Sequence, residues 1–264
     1  MNPDDYGALE VSTVDRITTV VLNRPEHRNA IDPVLHADLT RVFTDLDEDP
    51  DTEVAILTGA GGAFCAGGDI AWLRSLAGDL TEVERVIRAD RRITESALAL
   101  EKPLVAKVNG PAVGLGCTLA LFCDFVYASE RSVFGDPHVS VGLVAGDGGA
   151  LLWPQLVGYA RARRYLLTGD LIPAPEAADI GLITECVAAD ELDHTAQAMA
   201  ERMRDGARMA IKFTKASINA GLRQAAVAVA DRAASTEGLT MMSEDFVIAL
   251  DAFLAKEPPT FVGR

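Results

Sequence analysis

Val54-Ala55-Ile56-Leu57-Thr58 leads, after Gly59-Ala60, into Gly61-Gly62-Ala63-Phe64-Cys65-Ala66-Gly67-Gly68-Asp69-Ile70. An uninterrupted apolar run of this length predicts a strand buried on both faces, and the glycine-rich stretch predicts a loop of small residues after it. The arrangement recurs downstream. Leu104–Val108 is a second such strand, followed by Asn109-Gly110-Pro111-Ala112-Val113-Gly114-Leu115-Gly116-Cys117, which leads into a short helix. Upstream, Ala8–Val14 and Ile17–Leu22 read as two strands joined by a tight Asp15-Arg16 turn, followed by a polar loop, Arg24–Asn29. A helix then starts with Asp32 as N-cap and Pro33 in its first position, with Val34, Leu35, Leu39, Val42, Phe43 and Leu46 on its apolar face. A long helix is predicted over Thr81–Leu100, capped by Thr81 with Glu84 at its third position, and Phe125–Ala128 is again a strand. Strands alternating with helices predict an α/β chain with parallel pairing. Beyond Leu192 only helical patterns remain: Ala207–Ala220, Gln224–Thr236 and Glu244–Lys256, the last ending before Pro258-Pro259. Residues 1–200 therefore read as an α/β core and 201–264 as a helical region.

Hydrophobic residues make up 49% and charged residues 24% of the 264 residues, enough apolar material for a large core. Asp and Glu number 39 against 24 Lys and Arg, a net charge of −15, which excludes nucleic acid as a partner but leaves room for a small anion held locally. The four cysteines, Cys65, Cys117, Cys123 and Cys186, form no C-x-x-C pair, so they read as small buried thiols and no metal site is expected. The acidic N-terminus, MNPDDYGALE, lacks the features of a signal peptide, and charges such as Lys107 and Asp124 interrupt every long apolar run. A cytoplasmic protein with no membrane partner is expected.

Phe64 and Leu119 stand where G-x-G-x-x-G would need its third glycine, and neither G-x-x-x-x-G-K-[ST] nor G-x-S-x-G occurs. Dinucleotide, P-loop and serine-hydrolase readings fail. Two readings of the glycine segments stay open. They are tight turns, or they are places where bare backbone N–H groups face a cleft and bind an oxyanion.

Asn23-Arg24-Pro25…Asn29-Ala30, Ala63-Phe64-Cys65-Ala66-Gly67-Gly68-Asp69, Val108-Asn109-Gly110-Pro111-Ala112 with Gly114-Leu115-Gly116, Leu167-Thr168-Gly169-Asp170, Ala177-Ala178…Gly181-Leu182-Ile183 and terminal Phe261-Val262-Gly263-Arg264 follow one another in order along nearly the whole chain. Together they resemble the crotonase (enoyl-CoA hydratase/isomerase) family. The resemblance implies a spiral core of β-β-α turns, with C-terminal helices that pack trimers, often paired into hexamers. It also implies a coenzyme A thioester substrate, with coenzyme A entering as part of the substrate and no separate cofactor. By position, the oxyanion hole would be the N–H groups of Gly68 and Leu115, the latter at a helix start where unpaired amides favour negative charge. The coenzyme A moiety would run along Arg28, Ala30, Ala66, Asp69 and Ile70, with Lys256 as a further cation. Glu257 stands where the family often has a second basic residue.

The departures bear on mechanism. Thr118 and His138 occupy the positions at which family hydratases carry two glutamates, and a threonine is no base at neutral pH. His138 can be one, or can be a hydrogen-bonded loop residue. Asp147, within Val144-Ala145-Gly146-Asp147-Gly148-Gly149-Ala150, either enters the cleft as the acid–base group or caps the helix behind it. Asp69 more naturally holds its loop, and Trp72 and Trp153 are core or cavity wall. The expected chemistry is that of an enolate-forming lyase or isomerase. A 1,3 proton shift needs one base, whereas hydration needs a base and an acid drawn from Asp147, His138 and water. Thioester hydrolysis, or a silent acyl-CoA-binding trimer, is the alternative that the missing glutamates suggest.

Overall fold

A computed structural model describes residues 1–264. The first two strands, β1 (Leu9–Val14) and β2 (Ile17–Leu22), pair antiparallel through the Asp15-Arg16 turn, both of whose residues have positive φ as a two-residue hairpin requires. Helix α1 (Pro33–Glu48) follows, and the Asp32 carboxylate accepts from the N–H groups of Val34 and Leu35. Next come β3 (Val54–Gly59), α2 (Ile70–Leu76) and α3 (Leu80–Ala99). The cap of α3 is Asp79 rather than Thr81. Its carboxylate accepts from the N–H groups of Thr81 and Glu82 and places a negative charge at the helix start.

Strand β4 (Leu104–Val108) leads through β5 (Ala112–Val113) into α4 (Leu115–Leu121) and β6 (Phe125–Ser129). Then come β7 (Val133–Gly135), a 3-10 turn over His138–Val141, α5 (Gly149–Thr168, interrupted at Gly158), β8 (Ile172–Pro173), α6 (Ala174–Asp179) and β9 (Glu185–Val187). The chain closes with α7 (Leu192–Arg204), α8 (Arg208–Thr240) and α9 (Glu244–Ala255). The expected pair of helices between 207 and 236 is one continuous helix. Gly221 stands between the two expected segments, and one glycine there costs about 1 kcal/mol, less than the packing of α8 on α3 and α5 returns.

The main sheet runs β1-β2-β3-β4-β6-β9 and is parallel throughout beyond the first hairpin. A second, small sheet, β5-β7-β8, sits beside it. Alternate residues of β3 point to opposite faces: Ala55 and Leu57 join the main core with α1, α4 and α5, while Val54 and Ile56 pack on Leu192, Ala196 and Ala200 of α7. A third cluster, with Leu76, Val83, Val86, Met241, Phe246 and Leu250, ties α2 and α3 to the last two helices. Because β3 and β4 are parallel neighbours, the two glycine segments leave the sheet at the same edge. Open parallel sheets bind ligands in the crevice outside their carboxyl ends. No helix is long and apolar enough to cross a membrane.

Candidate active site

The glycine segments run side by side. Gly67 has a φ of 87° and packs so closely on the second segment that a Cβ there would lie 2.9 Å from the Val113 carbonyl oxygen. Cys65 and Ala112 form a bridge between the segments, and the Val113 N–H donates to the Cys65 carbonyl at 2.9 Å. Buried Asn29 fastens the first segment from below, its side-chain amide donating to the carbonyls of Ala60, Ala63 and Phe64. With the backbone held this way, the N–H groups of Gly68 and Leu115 donate to no group of the protein. Both residues line one cavity of about 390 Å³. Leu115 opens α4, so its amide is one that a helix leaves free in any case.

Carboxyl groups gather in this cavity too, Asp90, Asp147 and Glu237 among its lining. Asp147 is 4% exposed and does not cap α5: the N-cap is Gly148, which makes no side-chain cap bond and whose φ of 129° suits glycine alone. The turn sends the Asp147 side chain toward α4, where Oδ1 accepts from Thr118 Oγ1 at 3.2 Å and Oδ2 is left without a partner. His138 stands between acids. Its Nδ1–H donates to Asp136, and its Nε2 lies 3.4 Å from Asp147 Oδ2 and 3.8 Å from Oε1 of Glu237. Although one atom each of Asp136, His138 and Asp147 falls within 4.8 Å of the others, the imidazole meets the two aspartates through opposite nitrogens. That is the geometry of a proton relay rather than a chelate. His36 and Asp90, joined at 2.7 Å, complete the wall beside Trp72, whose ring is 5.1 Å from that of His36.

Burial sets the titration of this cluster. Desolvation pushes Asp147 up to about 7, opposed by the His138 charge and reinforced by Asp136 and Asp90. Glu237 is raised well above the usual carboxylate range, again first by burial and then by Asp147, Asp90 and Asp136. Burial alone would lower His138, but Asp136, Asp147 and Glu237 outweigh it and hold the imidazole well above its ordinary value, hence cationic at neutral pH. Burial also pushes the Cys65 thiol up to about 12, so this neighbour of the site is no thiolate nucleophile.

The sequence-derived residues fall into three groups. Gly68, Leu115, His138 and Asp147 line the cavity, and Thr118 touches it through Asp147. Arg28, Ala30, Ala66, Asp69 and Ile70 line it as well. Asp69 also caps α2, accepting from the N–H groups of Ala71 and Trp72. Lys256 is not brought to the cavity. It ends α9 in a left-handed conformation with its side chain exposed, although Phe253 of the same helix lines the cavity. Trp72 is cavity wall, whereas Trp153 is fully buried core beside Tyr165. The sequence reading missed Asp136, Glu237, Asp90 and His36. A signal existed for three of them: each interrupts the apolar stripe of its helix, Asp90 among Val83, Val86, Ile93 and Ala97, Glu237 among Ala233, Ala234 and Met241, and His36 beside Leu35 and Leu39.

Comparison with known proteins agrees with this architecture. The family model described as enoyl-CoA hydratase/isomerase matches residues 13–264. The chain is 33% identical to the crotonyl-CoA hydratase of Syntrophomonas wolfei over 98% of its own length and 99% of that protein's. It is 32% identical to the short-chain-enoyl-CoA hydratase of Clostridium acetobutylicum over 91% and 92% of the two lengths. The crystal structure of an enoyl-CoA hydratase/isomerase from Mycobacterium paratuberculosis superposes with a TM-score of 0.90 at 38% identity, covering 94% of this chain and 99% of that one. The crotonase-like core, the paired glycine segments and the full-length similarity converge: the chain is a member of the enoyl-CoA hydratase/isomerase family.

Proposed function

We propose that the protein acts on an enoyl-CoA thioester in acyl-CoA metabolism, holding the thioester oxygen on the N–H groups of Gly68 and Leu115 and moving a proton with Asp147. The observation that carries this reading is the meeting, in one cavity, of two unpartnered backbone donors and a buried carboxylate whose pKa sits near neutrality. Donors fixed before the reaction stabilise the enolate as charge moves onto the thioester oxygen. A base with a pKa of about 7 is ionised often enough to take a proton and strong enough to hold it. Thr118 and His138 serve Asp147, the first by hydrogen bond and the second by charge. The coenzyme A moiety lies along Arg28, Ala30, Ala66, Asp69 and Ile70. Relatives named as crotonyl-CoA and short-chain-enoyl-CoA hydratases support a short acyl group. A silent binding protein would have no reason to keep costly unpaired buried carboxyls in its cavity.

Two measurements test the reading. Crotonyl-CoA and longer 2- and 3-enoyl-CoA esters are expected to be turned over, and absence of turnover across the series would overturn it. Acyl-CoA at about 100 times its Kd should add about 2.7 kcal/mol of stability, a rise in Tm on the order of 5 °C, and no shift with short or long esters would count equally against it.

The same proposal includes a cytoplasmic location and a trimer or hexamer. Met209, Phe213, Ile218 and Val227 leave apolar surface on α8 exposed in the single chain, and Phe261 and Val262 add to it near the C-terminus. Light scattering is expected to give three or six times the chain mass, and a stable monomer at micromolar concentration would refute the assembly.

A further inference from the structure

We propose that Glu237, delivered by helix α8, is the proton donor that works opposite Asp147, so that the reaction run at this site is the addition of water across the double bond. The inference rests on the function proposed above and goes beyond it by assigning the second proton-transfer group. Glu237 is 3% exposed yet lines the cavity, and its Oε2 has no partner in the protein. Its other oxygen and Oδ2 of Asp147 converge on the same imidazole nitrogen, Nε2 of His138, at 3.8 and 3.4 Å. The approach is built into the backbone. A Cβ on Gly146 would lie 2.6 Å from Glu237 Cβ and 2.7 Å from the Ala233 carbonyl oxygen, so α8 seats directly on the residue before Asp147. A carboxyl that merely filled space here would leave an unpaired buried polar atom, at a cost of about 1–3 kcal/mol.

The groups facing Glu237 divide the roles. His138 lies against it, Asp147 shares that histidine, and Asp136 and Asp90, the latter bound to His36, add negative charge from the loop after β7 and from α3. Two acids in one buried cluster cannot both ionise freely, and the one held higher keeps its proton. Asp147 accepts from Thr118 and lies nearer His138, at 3.4 Å against 3.8 Å for Glu237, and both contacts favour its ionised form, so Asp147 is the base and Glu237 the acid.

The step balances with water as the only co-reactant. Water oxygen bonds to Cβ while its proton passes to Asp147 Oδ2. The π electrons move onto the thioester oxygen, held by the N–H groups of Gly68 and Leu115. As the enolate collapses, Cα takes the proton of the Glu237 carboxyl. His138 then gives its Nε2 proton to the Glu237 carboxylate and receives the one on Asp147, restoring the site. A double-bond shift needs one base only and would leave Glu237 without a task.

The test uses trans-2-enoyl-CoA esters, crotonyl-CoA first, with the full chain. Glu237→Gln keeps volume and a donor but cannot release a proton. Its kcat for hydration is expected to fall about 10²–10⁴-fold with KM changed by only a few-fold. The alkaline limb of the wild-type kcat profile, where Glu237 loses its proton, is expected to vanish in the variant. Glu237→Asp, which keeps the acid on a shorter arm, should recover part of the loss, a rescue that a purely structural role would not give. In D2O the wild type should place one deuterium on Cα of the 3-hydroxyacyl product. Glu237→Gln turnover within threefold of wild type, or an alkaline limb that survives the change, overturns the proposal. A wild type that shifts double bonds without adding water also overturns it while leaving the family function intact, and a wild type inert to every enoyl-CoA overturns both.

Discussion

Asp147→Asn is expected to abolish most turnover, by about 10²–10⁴-fold, while making the protein more stable above neutral pH. The activity half follows from removal of the one buried carboxylate that contacts Thr118, faces His138 and titrates near 7. The stability half follows from linkage. An aspartate of ordinary value 3.8 that is raised to about 7 in the fold contributes stability fully present below pH 3.8 and lost as pH rises through 7. Each pKa unit is about 1.4 kcal/mol, so ionising Asp147 costs the native state on the order of 4 kcal/mol above pH 7. Asparagine never ionises. The Tm difference between variant and wild type should be near zero at pH 4, grow to pH 7 and then level off. Acyl-CoA binding should survive, because the N–H groups of Gly68 and Leu115 and the lining residues from Arg28 to Ile70 are untouched. Near wild-type turnover would remove Asp147 from the chemistry. A variant that lost stability and activity together at pH 8 would make its role structural.

The parts of this site legible in the sequence are those made by the backbone. Buried strands followed by glycine segments announce their own position, since a parallel sheet sends both loops to one edge, and two such loops can present bare amides. What the side chains do was only half legible. Thr118 and His138 stand where the family's hydratases carry acids, and the alignment of positions alone suggested a site missing its machinery. In three dimensions those two residues converge on Asp147, and His138 is joined by Glu237. The distance of 90 residues between Asp147 and Glu237, and of 57 between Asp90 and Asp147, hides the cluster from any local pattern. The sequence leaves Asp147 open between capping α5 and entering the cleft for a related reason. An aspartate before a helix usually caps it, but Gly148 takes a φ of 129° and turns Asp147 away. A glycine φ is not visible in a sequence. What is visible, and carried the most information, is the acid on an otherwise apolar helical stripe. Burying Asp90 and Glu237 on such stripes costs stability that surface placement would not, so each asks for a reason in the site it faces.

Leu115→Pro is expected to cut kcat/KM by about 10²–10³-fold without unfolding the protein, because it deletes one backbone donor at the single helical position where proline is welcome. Leu115 is the first residue of α4, and its N–H makes no bond within the protein, so the change removes no structural hydrogen bond. The residue in front is Gly114, which has no Cβ to meet the proline ring. Losing one such donor typically costs about 3–4 kcal/mol in the transition state. Leu115 is also part of the main core, so part of any loss could come from the missing side chain. Leu115→Ala separates the two effects, since it trims the side chain further than proline does and keeps the N–H. The alanine protein is therefore expected to be the less stable of the pair and the more active by at least about tenfold. Equal activities for the two variants at equal occupancy by acyl-CoA would show that the Leu115 amide does not hold the thioester oxygen.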